Sequence, residues 1–219
     1  MDTEMLDEHP DGRVRRGNAT RRAVLRRAVD VASVEGLDGL SIGRLATELS
    51  MSKSGLFALF GAKEELQLAT IRAAKRIYID TVVTPALETP PGLGRVWALV
   101  AAWIDYSRGR VFPGGCFFAR TSYEYAARDG EVRDALTASR HEWLELIEQS
   151  LAEAQSLGEL AGTEALPQLA FELNAFLDGA NLDSLLGRGE PAYDQARRAI
   201  RDRLASANRA ATQPWDGTT

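Results

Sequence analysis

The 219-residue sequence contains only one cysteine, Cys116, and two histidines, His9 and His141. A lone cysteine excludes an internal disulfide and favours a cytoplasmic protein. Neither histidine has Cys, Asp or Glu neighbours at the spacing of metal ligands, and the sequence has no phosphate-binding loop, nucleophile elbow or dinucleotide fingerprint. We therefore expect no metal, no cofactor and no enzymatic activity.

Long hydrophobic runs are also lacking. No stretch approaches about 18 uncharged apolar residues, the minimum for a membrane-spanning helix. The opening segment MDTEMLDEHPDGRVRRG has no apolar stretch of the kind that forms a secretory signal. Hydrophobic residues make up 45% of the chain and charged residues 26%, which is ordinary for a soluble globular protein. These features predict a cytoplasmic protein with no membrane partner.

No segment has the alternating pattern of a β-strand, whereas apolar residues recur at helical spacing along most of the chain. Glycine and proline divide these segments. The sequence therefore predicts an all-α protein of about nine helices, with polar, disordered tails at residues 1–18 and 209–219. The predicted helices cover residues 20–35, 42–49, 53–60, 62–83, 91–108, 116–128, 131–157, 164–186 and 191–208, and the fourth is expected to stop before Pro85.

The net charge of −5 is unevenly distributed along the chain. Residues 12–63 contain ten lysines and arginines but four acids, whereas residues 1–11 contain five acids and no basic residue. A basic window in an acidic chain is typical of a nucleic-acid-binding segment, although an arginine-rich solvated helix surface would give the same pattern. Charge alone leaves both interpretations open.

Residues 41–60, SIGRLATELSMSKSGLFALF, have the layout of a helix-turn-helix, in which two short helices are joined by a tight turn. A small residue, Ala46, stands where the helices would cross, and an apolar residue, Met51, would fill the corner. Leu56 and Phe60 would anchor the second helix on one side. Its other side would then be free to enter the major groove of DNA.

The stretch from about residue 20 to residue 68 resembles the DNA-binding domain of the TetR/AcrR family of transcriptional regulators. Residues 36–66, GLDGLSIGRLATELSMSKSGLFALFGAKEEL, carry the resemblance. It implies a three-helix, helix-turn-helix DNA-binding domain at residues 19–64 and a helical ligand-binding and dimerisation domain at residues 65–208. The matching motifs are Leu45-Ala46, Phe57-Ala58-Leu59-Phe60 and Lys63-Glu64-Glu65-Leu66, in that order.

The resemblance also implies DNA contacts. Phe57 and Leu59 depart from the family, which commonly has tyrosine and histidine at these positions, so Phe57 either contacts a thymine methyl or a sugar, or lies in the core. Lys63 matches the family's phosphate-binding lysine at a helix N-terminus. The predicted DNA-binding residues are Arg44, Ser52, Lys53, Ser54, Gly55, Phe57, Leu59 and Lys63.

A ligand cavity in the second domain would need apolar walls and a few polar groups. The predicted ligand-binding residues on that basis are Trp97, Trp103, Phe117, Tyr123, Phe171 and Asn174. Cys116 is either a redox sensor or an inert buried thiol, of which the second is the commoner case.

The segments 164–186 and 191–208 have apolar residues over a wide surface, which favours a four-helix bundle between two copies of the chain. A homodimer fits a palindromic double-stranded DNA operator whose half-sites lie about one helical turn apart. The resulting hypothesis is a repressor that an unknown small-molecule effector releases from its operator, with the helix 62–83 as the connecting lever. A helical ligand-binding protein without DNA binding, and an activator of the same fold, are the alternatives.

Overall fold

A computed structural model describes residues 10–208 of the chain, with side chains from residue 17 onward. That part is all-α and contains no β-strand, which confirms the predicted fold class. None of its helices combines the length and apolar character that a bilayer crossing requires. The nine helices are α1 (Pro10–Glu35), α2 (Ile42–Glu48), α3 (Lys53–Phe60), α4 (Lys63–Tyr78, a π-helical turn Ile79–Val83, then Thr84–Leu87), α5 (Leu93–Arg108), α6 (Phe117–Tyr125), α7 (Glu131–Ser156), α8 (Leu166–Asp183, with a π-helical turn Ser184–Arg188) and α9 (Glu190–Ala207).

Helix α1 begins at Pro10, so the prediction of a disordered tail over residues 1–18 is wrong for residues 10–18. The prediction relied on apolar periodicity, which this segment lacks. The segment continues directly into the apolar part of α1, so each added residue extends an existing helix and needs no new nucleus, and Pro10 is well accommodated in a first helical turn. Residues 1–9, and the tail predicted at 209–219, lie outside the described residues.

Helix α4 continues through Pro85 to Leu87, so the predicted stop before this proline is also wrong. The π-helical turn at Ile79–Val83 shifts the hydrogen-bond register just ahead of the proline. Pro85 then stands near the start of the new α-helical segment, where a missing N–H costs little.

Helices α1 to α3 and the first turn of α4 form one packed unit, called the head below. Its core is made of side chains from all four helices, including Val24, Leu45, Leu56, Phe60 and Leu66. The remaining helices form the body, in which α5 packs against α4, α7, α8 and α9. Since α5 contacts neighbours on several sides, it buries residues around most of its circumference.

The loop between α5 and α6 joins the body to the head at a close backbone approach. The Gly114 N–H donates to Ser33 Oγ at 3.1 Å, and Arg26 Nη2 donates to the Val111 carbonyl oxygen at 2.8 Å. A Cβ atom at Gly114 would lie 1.9 Å from the Ser33 carbonyl oxygen of α1, so only glycine fits there. The loop therefore fixes the position of α1 on the body.

We expect Gly114→Ala to lower the free energy of unfolding by about 1–3 kcal/mol, because α1 or the loop must move to admit the methyl group. Thermal and denaturant unfolding would measure this. Gly162→Ala is the matched control, since a Cβ at Gly162 meets no atom within 4 Å. Equal stability of the two variants would contradict the close approach.

Candidate nucleic-acid interface and ligand cavity

Helices α2 and α3 form the expected helix-turn-helix, and a serine caps each of them. Ser41 Oγ accepts from the Arg44 N–H at 3.4 Å, and Ser52 Oγ accepts from the Gly55 N–H at 3.1 Å. In the turn, the Met51 N–H donates to the Ala46 carbonyl oxygen at 2.8 Å. These bonds satisfy backbone groups that such short helices would otherwise leave without partners.

Helix α3 presents one side to the core and the other to solvent. Leu56 and Phe60 are buried, as predicted, whereas the Phe57 side chain is 56% exposed and Leu59 is half-buried. The interpretation of Phe57 as a core residue is therefore wrong: its neighbours Leu56 and Phe60 face the core, and it points away from them. Lys53, Ser54 and Phe57 together make a free surface on α3.

Several basic side chains of the head are already paired within the protein. Arg44 donates to the Glu35 carboxylate at 2.5 and 2.7 Å and to Glu48 at 2.7 Å, and Arg27 also pairs with Glu48 at 2.6 Å. These hydrogen bonds lower the pKa of both carboxyls and raise that of Arg44. Arg44 would have to leave these partners, or share them, to contact a phosphate.

The lysines of this surface differ in their surroundings. Lys63 Nζ donates to the Asp38 carbonyl oxygen at 2.7 Å, so it links the start of α4 to the loop after α1. Lys53 is exposed at the start of α3, and within residues 17–208 no acidic side chain pairs with it. Lys53 is therefore the lysine most available to an anion.

Helix α6 of the body also holds the loop between α1 and α2, in addition to α4. The Glu124 carboxylate accepts the backbone N–H groups of Leu37 and Asp38 at 2.7 and 2.9 Å. Gly36 makes this possible, because a Cβ there would lie 2.3 Å from the carboxylate. Arg128, just after α6, pairs with Asp38 at 2.6 Å and lowers the pKa of that carboxyl.

The body contains a cavity of about 360 Å³ that is bordered by α4 to α8. This lies within the usual range of roughly 300–1,000 Å³ for small-molecule sites. Helix α6 contributes Phe118, Ala119 and Ser122 to its wall. The same short helix therefore contacts both the cavity and, through Glu124, the head.

Aromatic rings make up much of the cavity wall. Tyr78 stands at their centre, with its ring centroid 5.7 Å from Phe118 and 5.5 Å from Trp143, both edge-to-face. Trp103 and Cys116 also line the cavity. Burial raises the pKa of the Cys116 thiol to about 11, which favours the unreactive thiol form over a redox-active thiolate.

A chain of hydrogen bonds crosses the polar side of the cavity. Trp143 Nε1 donates to Asn174 Oδ1 at 3.0 Å, and Asn174 Nδ2 donates to Asp178 Oδ2 at 2.9 Å. Arg140 Nη1 reaches the same Asp178 oxygen at 3.3 Å. Burial raises the pKa of Asp178 in spite of these donors.

The cavity brings together two of the six predicted ligand-binding residues, Trp103 and Asn174. The other four lie outside its wall. Phe117 is fully buried in the core, and Trp97 packs beneath the Arg201 guanidinium at 5.7 Å. Tyr123 and Phe171 are 75% and 57% exposed. Helical spacing alone does not distinguish a cavity wall from a core or a surface.

The sequence analysis missed Tyr78, Arg140 and Asp178 as cavity residues. Only Asp178 had a signal that could have identified it. It is an acid within the largely apolar α8, and a buried carboxylate is costly unless it is paired. Within residues 17–208, no group of three His, Cys, Asp or Glu residues is arranged to hold a metal ion.

The sequence and the fold both match known proteins. Residues 92–200 match the family model described as "Tetracyclin repressor-like, C-terminal domain". No curated protein matches the sequence. Among solved structures, a TetR transcriptional regulator from Chloroflexus aurantiacus has 21% identity and a TM-score of 0.83, with 90% of this chain and 100% of that chain covered.

Two further solved structures were determined with ligands. A transcriptional regulator from Saccharomonospora viridis in complex with choline has 19% identity and a TM-score of 0.75, covering 87% of this chain and 98% of that one. AibR in complex with isovaleryl coenzyme A and operator DNA has 19% identity and a TM-score of 0.64, covering 85% of this chain and 97% of that one. At such identities the likeness establishes a shared fold.

We expect Glu124→Gln to destabilise the protein by about 1–3 kcal/mol, because an amide accepts one of the two loop N–H groups and turns a donor toward the other. Chemical unfolding would measure the change. Glu88→Gln, on an exposed residue after α4, should alter stability by less than about 0.5 kcal/mol. Equal effects would show that Glu124 does not hold the loop.

Proposed function

This chain belongs to the tetracycline-repressor family, and from that premise we propose that it is a dimeric DNA-binding transcriptional regulator controlled by a small molecule in the body cavity. The observation that carries the proposal is the outward side of α3, where Lys53, Ser54 and Phe57 are exposed opposite the buried anchors. A capped helix with one free side and a cation at its start suits the major groove.

The contacts proposed for this surface follow from its side chains. Lys53, Ser52 and Ser54 would donate to phosphates or base edges, and the Phe57 ring would pack on a thymine methyl or a sugar. Gly55, which has no side chain, would let the DNA approach α3 closely. Leu59 would lie beside this contact surface. Arg44 and Lys63 would contribute once their internal partners share them with phosphates.

We expect Lys53→Gln to weaken binding to duplex DNA about three- to tenfold, equally for different sequences, and to reduce the slope of log affinity against log salt by about one. Fluorescence anisotropy with DNA from the chain's own upstream region, at several salt concentrations, would measure both. Arg133→Gln, on α7 of the body, is the control. No detectable DNA binding would instead favour a ligand-binding protein without DNA binding, and an unchanged salt slope in Lys53→Gln would contradict the phosphate contact.

The proposed dimer interface is an apolar stripe on α8. Phe171, Ala175, Gly179 and Leu182 are exposed at spacings of three and four residues, and so share one helix face. Leu186, just beyond the regular part of the helix, is also exposed. The apolar residues of α9, by contrast, are buried within the protomer. Hence α8 would supply most of the apolar contact, and α9 mainly its polar surface.

We expect Leu182→Glu to shift the protein from dimer to monomer, because a buried unpaired charge at the interface is costly. Light scattering after size-exclusion chromatography would report the mass. Leu157→Glu is the matched control, since Leu157 is an equally exposed leucine at the end of α7. The monomeric variant should also lose most of its DNA affinity, because two recognition helices would no longer be linked.

We further propose that the effector weakens DNA binding, which would make the protein a repressor. A ligand that contacts Phe118 or Ser122 would press on α6, and α6 holds the head through Glu124. Helix α4, which lines the cavity with Tyr78 and Ile79 and starts in the head, offers a second connection. The structure of AibR in complex with isovaleryl coenzyme A and operator DNA supports the presence of both a ligand site and a DNA site in a protein of this fold.

A further inference from the structure

We propose that the body cavity selects an organic ammonium ion with an apolar body, and that Asp178 is the residue that recognises the positive charge. This inference rests on the proposed ligand-sensing function and names the chemical class of the effector. Three features of the cavity support it: the aromatic walls, the excess of acidic side chains and the bonding of the Asp178 carboxylate.

The aromatic walls suit a cation that carries an apolar group. Four aromatic residues line the cavity, namely Tyr78, Trp103, Phe118 and Trp143. The face of an aromatic ring attracts a cation, most strongly when water is excluded. The same rings offer apolar contact to the remainder of the ligand.

Acidic side chains outnumber basic ones in the cavity wall. The basic groups are Lys75 and Arg140, and each is already paired: Lys75 with Glu142, and Arg140 with Asp178. Glu145 also lines the cavity and has no ion-pair partner within residues 17–208. The site therefore has an uncompensated negative charge and no unpaired cation to hold an anionic ligand.

The Asp178 carboxylate retains one oxygen for a ligand. Both of its donors, Asn174 and Arg140, bond to Oδ2, and no donor among the described residues reaches Oδ1. Because Trp143 orients Asn174, the carboxylate is fixed rather than free to rotate. Its raised pKa shows that the two donors do not fully offset burial, so a third positive group at Oδ1 would be stabilising.

The test compares three ligands that share a phenylpropyl body: phenylpropylamine, phenylpropanol and phenylpropanoate. Isothermal titration calorimetry on the 219-residue protein, without DNA, would measure their affinities. We expect the amine to bind about tenfold more tightly than the alcohol, and the alcohol more tightly than the acid. If the alcohol or the acid binds as tightly as the amine, or if none of the three binds, the inference is wrong.

Substitutions test whether Asp178 causes the preference for the amine over the alcohol. Asp178→Asn should reduce the preference for the amine over the alcohol to within about twofold, while the alcohol still binds. Asp183→Asn is the matched control, because Asp183 lies on α8 outside the cavity and pairs with Arg188. A preference that persists in Asp178→Asn would overturn the assignment.

The Arg140→Gln variant gives a second, independent test, in which the affinity for the amine should rise rather than fall. Removing the cation beside Asp178 should strengthen amine binding several-fold, whereas damage to the fold would weaken it. An unchanged or reduced amine affinity, with alcohol binding retained, would contradict the role of Asp178.

Measurements of DNA binding separate this inference from the proposed function. If phenylpropanoate binds and releases DNA but the amine does not, the result supports ligand sensing and contradicts the assignment of an ammonium ligand. If the amine binds with the expected dependence on Asp178 but leaves DNA binding unchanged, the result supports the ammonium assignment and contradicts release of DNA by the effector.

Discussion

The burial of Leu56 and Phe60 is the constraint on which the proposed function depends. Helix α3 has only eight residues, and isolated helices of that length are not stable in water. Its existence therefore relies on these two anchors and on the Ser52 cap. Because the anchors are four residues apart, they fix the rotation of the helix as well as its position, and this leaves Lys53, Ser54 and Phe57 outside.

The same packing explains how a cavity in the body can affect a surface in the head. The α1–α2 loop buries Leu37 and Leu40, and the backbone N–H groups of Leu37 and Asp38 bond to Glu124 of α6. The aromatic wall of the cavity begins on the same helix, with Phe118 less than two turns away. A displacement of α6 would thus change both sites at once, without any need for a long chain of side-chain contacts.

The sequence was informative wherever a local rule decides the structure. Helical periodicity, serine caps and the spacing of Leu56 and Phe60 were sufficient to predict the all-α fold and the helix-turn-helix. Local rules failed at Pro85, where a π-helical turn accommodates the proline, and at residues 10–18, where an established helix extends into a segment without apolar periodicity. Only two of the six predicted ligand residues line the cavity, because five helices form it and their mutual rotation is not encoded in any one of them.

The sequence also does not show which charged side chains pair with each other in the folded protein, and this pairing bears on function. The basic window over residues 12–63 suggests a strongly cationic head, but the folded chain uses Arg27, Arg44 and Lys63 to hold its own helices and loops together. Phosphates would have to compete with Glu35, Glu48 and the Asp38 carbonyl for these groups. Under the proposed function, internal pairing would lower the nonspecific attraction to DNA, and discrimination would depend more on the exposed side of α3, where the Phe57 ring would replace a tyrosine hydroxyl with shape and apolar contact.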